Sequence, residues 1–133
     1  MGFDMFLLSL QNGKPSAFPF SLVEKCFGPY ASSRERDYWT LEYPDGGYCE
    51  LFVDTSREDV EDFMVSRPPA SPEFWQALFD LLRDTPSCLC WPGGGPAIVN
   101  PSLRDHLPTG EDDLGEPLIV STPEQICEAI WGS

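Results

Sequence analysis

Ser71-Pro72-Glu73-Phe74-Trp75-Gln76-Ala77-Leu78-Phe79-Asp80-Leu81-Leu82-Arg83-Asp84-Thr85-Pro86 is the stretch that decides the fold. Ser71 suits an N-cap, Pro72 the first helical position and Glu73 the positive end of a helix. Phe74, Trp75, Leu78, Phe79, Leu81 and Leu82 recur at helical spacing and make a broad apolar stripe. Pro86 stops the helix. The apolar run Ser87-Cys88-Leu89-Cys90-Trp91 follows, and Pro92-Gly93-Gly94-Gly95-Pro96 breaks it. A helix with so wide an apolar stripe has to be covered by a sheet or by other helices.

Working outward, the chain of 133 residues has the length of one domain with one core. Apolar residues at 41% and aromatics at 13% exclude general disorder. No apolar run approaches the roughly 18 residues of a membrane span. The segment Met1 to Leu8 lacks a basic region and a small-residue cleavage site, and Phe6 stands where a myristoylation signal needs Ser or Thr. The expected compartment is the cytoplasm. Five cysteines (Cys26, Cys49, Cys88, Cys90, Cys127), odd in number and widely spaced, read as reduced thiols.

The expected fold is α+β, a single domain over 1–133 with a mostly antiparallel sheet of five to seven strands and two or three helices on one face. Phe3 to Gln11 is apolar on both alternating sets, which predicts a central strand buried on both faces. Ser21-Leu22-Val23-Glu24 reads as a capping box opening a short helix that Gly28-Pro29 ends. Ala31 to Asp37 reads as a polar connection. Tyr38 to Tyr43, Tyr48 to Asp54 and Val60 to Ser66 predict an antiparallel meander, its first hairpin turning at Pro44-Asp45-Gly46-Gly47. Ser87 to Trp91 and Ala97 to Asn100 are further strands around the glycine turn. A helical turn near Ser102 to Asp105, a short strand from Leu118 to Ser121 and a closing helix behind the capping box Thr122-Pro123-Glu124-Gln125 complete the chain.

Twenty-two carboxylates against eight Lys plus Arg give a net charge of −14. That balance opposes nucleic acid and anionic lipid, and it permits electrostatically steered association with a basic protein. An acidic surface that only maintains solubility is the alternative. Glu42, Glu50 and Asp54 fall on one alternating set of two paired strands, and Glu58, Asp59, Glu61 and Asp62 crowd the next turn and strand start. Tyr48 and Phe52 share the acidic face as candidate anchors, together with Tyr38. Glu111, Asp112 and Asp113, with Glu116 nearby, form a second block.

Other chemistries are less well supported. Cys88-x-Cys90 would need further Cys or His ligands to hold zinc, and His106 is the one histidine. No cysteine sits in a setting that activates a nucleophile. The glycine run lacks the Lys-Ser/Thr and helix of a phosphate cradle, and no calcium-loop spacing occurs. No catalytic residue, metal or cofactor is expected, and the oligomeric state is left open. A paired-carboxylate hydrolase would need a cleft and shifted pKa values. A rival reading is a small-ligand-binding module or enzyme with a pocket near Trp91, the glycine turn and the His106 loop.

Gly2-Phe3-Asp4-Met5-Phe6, Pro44-Asp45-Gly46-Gly47, Arg67-Pro68 and Cys90-Trp91-Pro92-Gly93-Gly94-Gly95 together resemble a group of small acidic bacterial proteins of unassigned function. In size and charge that group is similar to the immunity proteins of polymorphic-toxin and contact-dependent systems. The resemblance implies binding and neutralisation of a cognate toxin. It rests on turns and core positions, and it assigns no functional residue. The preference for Arg over Lys and the proline content suit a GC-rich bacterial genome.

Overall fold

The fold is that of a computed structural model, which describes residues 4–110 and 113–131. Strand β1 (Asp4–Gln11) turns at Asn12 (φ 54°) and Gly13 (φ 76°) into β2 (Lys14–Pro15). Two successive positive φ angles make the turn type whose twist matches antiparallel strands, which is why Asn-Gly stands there. A second small sheet pairs β3 (Phe18–Pro19) with β7 (Asp59–Val60). The remaining strands are β4 (Ala31–Arg34), β5 (Tyr38–Glu42), β6 (Tyr48–Phe52), β8 (Asp62–Ser66), β9 (Ser87–Trp91), β10 (Gly94–Ile98) and β11 (Leu118–Ile119).

These strands form a nine-stranded sheet in the spatial order β11-β10-β9-β1-β8-β6-β5-β4, with β2 on the end of β1. All pairings are antiparallel except β10 with β11. The α+β class holds, and the sheet is larger than the sequence suggested. Two strands account for much of the difference. Ala31–Arg34, read as a connection, is an edge strand that Trp39, Thr40 and Leu41 pair with across an irregular register. Polar side chains suit an edge with little to bury. Gly94–Ile98 begins strand pairing inside the glycine run, so the turn is at Pro92-Gly93.

Helices α1 (Phe20–Phe27), α2 (Pro72–Asp84) and α3 (Pro123–Trp131) pack on one face of this sheet. Met5, Leu7, Trp39, Leu41, Leu51, Phe63, Val65 and Leu89 meet Val23, Phe27, Phe74, Leu78, Leu81, Leu82, Ile126 and Ile130 in one core. The caps depart in part from the sequence reading. Glu24 does not close a capping box: it takes Arg34 as a partner at 2.7 Å, and Pro19 stands at the cap. Ser71 does stand at the N-cap of α2, but its hydroxyl donates to Asp45 Oδ1 at 2.6 Å and so ties the helix start to the β5–β6 hairpin. Gly47 is required there, because a Cβ would lie 2.3 Å from Ser71 Oγ. Thr122 does cap α3, accepting from Gln125 N, while Gln125 Oε1 accepts from Ser121 N.

Among the described residues, the opposite face of the sheet is covered only at one end. There the 310 helix Pro101–His106 lays Leu103, together with Leu107, over Leu10, Cys88 and Ile98. The expectation that β1 is buried on both faces therefore fails at Phe6, which is 42% exposed. Among the described residues no helix is long and apolar enough to cross a membrane.

Candidate functional site: an open sheet face and an acidic hollow

Strand alternation sorts the residues of β5 and β6. Trp39, Leu41, Cys49 and Leu51 point into the helical core, so their neighbours Tyr38, Thr40, Glu42, Tyr48, Glu50 and Phe52 line the other face. In register, Tyr38 opposes Phe52, Thr40 opposes Glu50 and Glu42 opposes Tyr48. Glu42, Tyr48, Glu50 and Phe52 thus share one surface as the spacing predicts, with Tyr48 52% exposed. Ion pairs of the described residues engage Glu24, Glu61, Asp80, Asp84 and Glu116, and none engages Glu42 or Glu50.

Asp54 lies past the end of β6 and, with Val53 buried in the core before it, keeps the exposed side of the alternation. It begins a turn in which Ser56 N and Ser56 Oγ donate to its Oδ1 at 3.0 and 2.6 Å. These two bonds, the hydroxyl's first, hold its carboxyl below the usual carboxylate range. The turn brings Asp54 to a hollow of about 330 Å³ lined also by Asp37, Phe52, Val53, Arg57, Asp59, Val60, Glu61 and Asp62. Four predicted carboxylates, Asp54, Asp59, Glu61 and Asp62, meet there beside the predicted anchor Phe52. Arg57 is the one basic residue in the lining, 3.9 Å from Glu61. Glu58 is exposed on the same turn and outside the lining.

The second acidic block is only partly visible, since Glu111 and Asp112 lie outside the described residues. Asp113 is exposed and accepts a bond from Gly115 N at 2.8 Å. Its neighbour Leu114 packs on the small cluster of Leu10, Cys88, Ile98, Leu103 and Leu107, as do Leu8 and Cys90. Asp113 therefore borders the same side of the sheet as Glu50. Asp37, Phe6 and Met64 also belong to this surface, although the sequence reading missed them. Period-two spacing carried the signal for Phe6 and Met64, but exposure depends on what covers a face, which spacing does not report.

A larger groove, about 670 Å³, lies on the helical side among α1, α2 and α3. Leu22, Tyr30, Trp75, Ala77 and Leu81 supply apolar lining, and Trp75 Nε1 donates to Pro69 O at 2.9 Å. Neither hollow includes Trp91 or the glycine turn. The Trp91 indole is buried against Gly94, where a Cβ would come within 2.3 Å of its Nε1. His106 Nδ1 accepts from Asn12 N at 3.2 Å, a bond that fastens the 310 helix to the first turn. Cys88 and Cys90 share a face as expected, and the hydrogen bond between them raises the Cys88 thiol and lowers that of Cys90. Burial pushes Cys49 up to about 12. No group of three or more His, Cys, Asp or Glu among the described residues is arranged to hold a metal ion.

Comparisons with family models, with curated proteins and with solved structures find no match to this chain.

Proposed function

We propose that this is an immunity-type protein, a cytoplasmic, non-catalytic inhibitor that neutralises a cognate basic toxin by stoichiometric binding. One observation carries the reading. Asp54, Asp59, Glu61 and Asp62 converge with Phe52 on a single hollow, and that hollow adjoins the sheet face of Glu42, Tyr48 and Glu50. Charges spread only for solubility have no reason to gather beside exposed aromatics. In water such a surface accelerates encounter with a basic protein, and contact then desolvates the carboxylates against Lys and Arg.

The reading is tested by co-expressing the chain with the protein encoded beside its gene and measuring growth, then titrating the purified pair by calorimetry. Protection and saturable one-to-one binding are expected, both lost when Glu50 and Asp54 are changed to Lys. Protection that survives those changes overturns this placement of the site. A ligand-binding module remains the second reading, supported by the 670 Å³ groove among the helices. A neutral apolar compound that raises the melting temperature and shifts the amide signals of Leu22 and Leu81 would favour it.

A further inference from the structure

The open face carries a continuous apolar row that crosses five strands. Tyr38 on β5 opposes Phe52 on β6, and Phe52 opposes Met64 on β8. Met64 opposes Phe6 on β1, and Phe6 opposes Cys90 on β9. Four strand-to-strand steps make the row about 19 Å long. The rings of Tyr38 and Phe52 lie 5.6 Å apart at 32°, so one end is a packed aromatic platform. Phe6, the fourth member, is 42% exposed, and the row's other members are partly exposed. β1 lies between β9 and β8 in the middle of this sheet, so Phe6 is exposed on the open face itself and not at a sheet edge.

Carboxylates border the row on both sides. The next rung along the strands is Thr40, Glu50, Ser66 and Asp4, each opposing the next. On the other side Asp62 opposes Leu8, and Asp62 also lines the hollow with Asp54 and Asp59. A second copy of the chain laid on this face would set carboxylates against carboxylates between two molecules of charge −14 each. Nucleic acid is repelled for the same reason. The complementary occupant is a protein surface that projects aliphatic or aromatic side chains between flanking Lys and Arg residues.

We infer that the Tyr38–Phe52–Met64–Phe6–Cys90 row is the seat for such a surface: apolar contact along the row holds the partner, and the bordering carboxylates select a basic one. The inference rests on the proposed inhibitory role and adds the chemistry of the partner's contact patch. Truncating an anchor in the middle of such a seat weakens binding by about tenfold or more.

Three synthetic strand-like peptides test it by NMR titration of the isotope-labelled chain. One alternates Lys with Leu, one Lys with Ser and one Glu with Leu. The Lys/Leu peptide is expected to shift the amides of Phe6, Phe52 and Met64 and to bind about tenfold tighter than either of the others. Phe6→Ser and Phe52→Ser should each weaken it by about tenfold, and Leu118→Ser, an exposed position on the edge strand β11 and off the row, by less than about twofold. The three peptides compared on the unaltered chain keep the test decisive even if a variant fails to fold. Equal binding of Lys/Ser overturns the apolar seat and leaves the acidic-inhibitor reading standing. Equal binding of Glu/Leu overturns the basic partner, and with it the charge basis of that reading. The inference also fails if the Lys/Leu peptide does not bind saturably, or if its shifts fall in the helical groove. A concentration-dependent dimer abolished by Phe6→Ser would assign the row to a second copy.

Discussion

Phe6 and Leu7 are neighbours on one strand and live in different solvents. Leu7 is 0% exposed beneath the three helices, and Phe6 is 42% exposed on the side that the described residues leave largely uncovered. Both faces of the sheet carry apolar groups, but one is a finished core and the other, where carboxylates interrupt them, has a small cluster under Leu103 and Leu107. Aromatic, thioether and thiol side chains are partly exposed near the middle of the sheet, and this is the surface on which the proposed partner would sit.

The largest expected contrast is in stability. Leu7→Ala should cost about 3 kcal/mol, because it removes a fully buried side chain and leaves a cavity. Phe6→Ala should cost less than about 1 kcal/mol, since much of that ring is already in water. Urea denaturation of both variants measures the difference. Equal losses would mean that the second face is as tightly packed as the first.

Binding should show the reverse pattern. Replacing both Glu50 and Asp54 by Lys should weaken association with the proposed basic partner about a hundredfold, mostly through slower association at low salt, and lower the urea midpoint only slightly, through loss of the bonds Asp54 accepts from Ser56. Stopped-flow association at several salt concentrations separates the two effects. A dissociation-only change would shift the weight from steering to direct contact.

A smaller effect belongs to the link between the two sides. Ser71→Ala should lose about 1 kcal/mol, the net worth of its bond to Asp45. The Ser71 hydroxyl, with Gly47 N second, holds the Asp45 carboxyl below its ordinary value. A depressed folded pKa contributes stability above the unfolded carboxylate value near about pH 4, and that contribution disappears as pH falls through the folded value. The gap between the parent chain and Ser71→Ala should therefore be full near neutral pH and narrow in acid. A gap independent of pH would assign the loss to packing of the hydroxyl alone.

The smallest test uses thiol chemistry without changing the sequence. Cys90 stands half-buried on the open face with its thiol lowered by Cys88, and Cys49 stands buried on the helical face with its thiol pushed up to about 12. Brief maleimide treatment followed by peptide mass mapping should modify Cys90 well before Cys49. Cys49 reacting first would exchange the two faces.

Local sequence signals located most of this fold. Proline, glycine and aromatic spacing placed α2, the β5–β6 hairpin and the strand of the Leu7 face, because each depends on neighbours a few residues away. Such signals failed where long-range partners compete. Glu24 left its capping box for Arg34, and the Ser71 hydroxyl turned from its helix to Asp45. Ala31–Arg34 carries no strand pattern of its own and pairs because β5 offers an unpaired edge.

The site divides along the same line. Alternation alone put Glu42, Tyr48, Glu50 and Phe52 on one surface, since side chains on a strand must change sides at every residue. Only the tertiary structure gathered Asp54, Asp59, Glu61 and Asp62 around one hollow, through a turn whose course no periodicity describes. Only sheet order joined Tyr38, Phe52, Met64, Phe6 and Cys90 into a row, because they come from five strands distant in the chain. The sequence by itself determined which side chains share a face. Which face the helices would cover was decided in three dimensions, because it depends on the summed burial of the whole molecule.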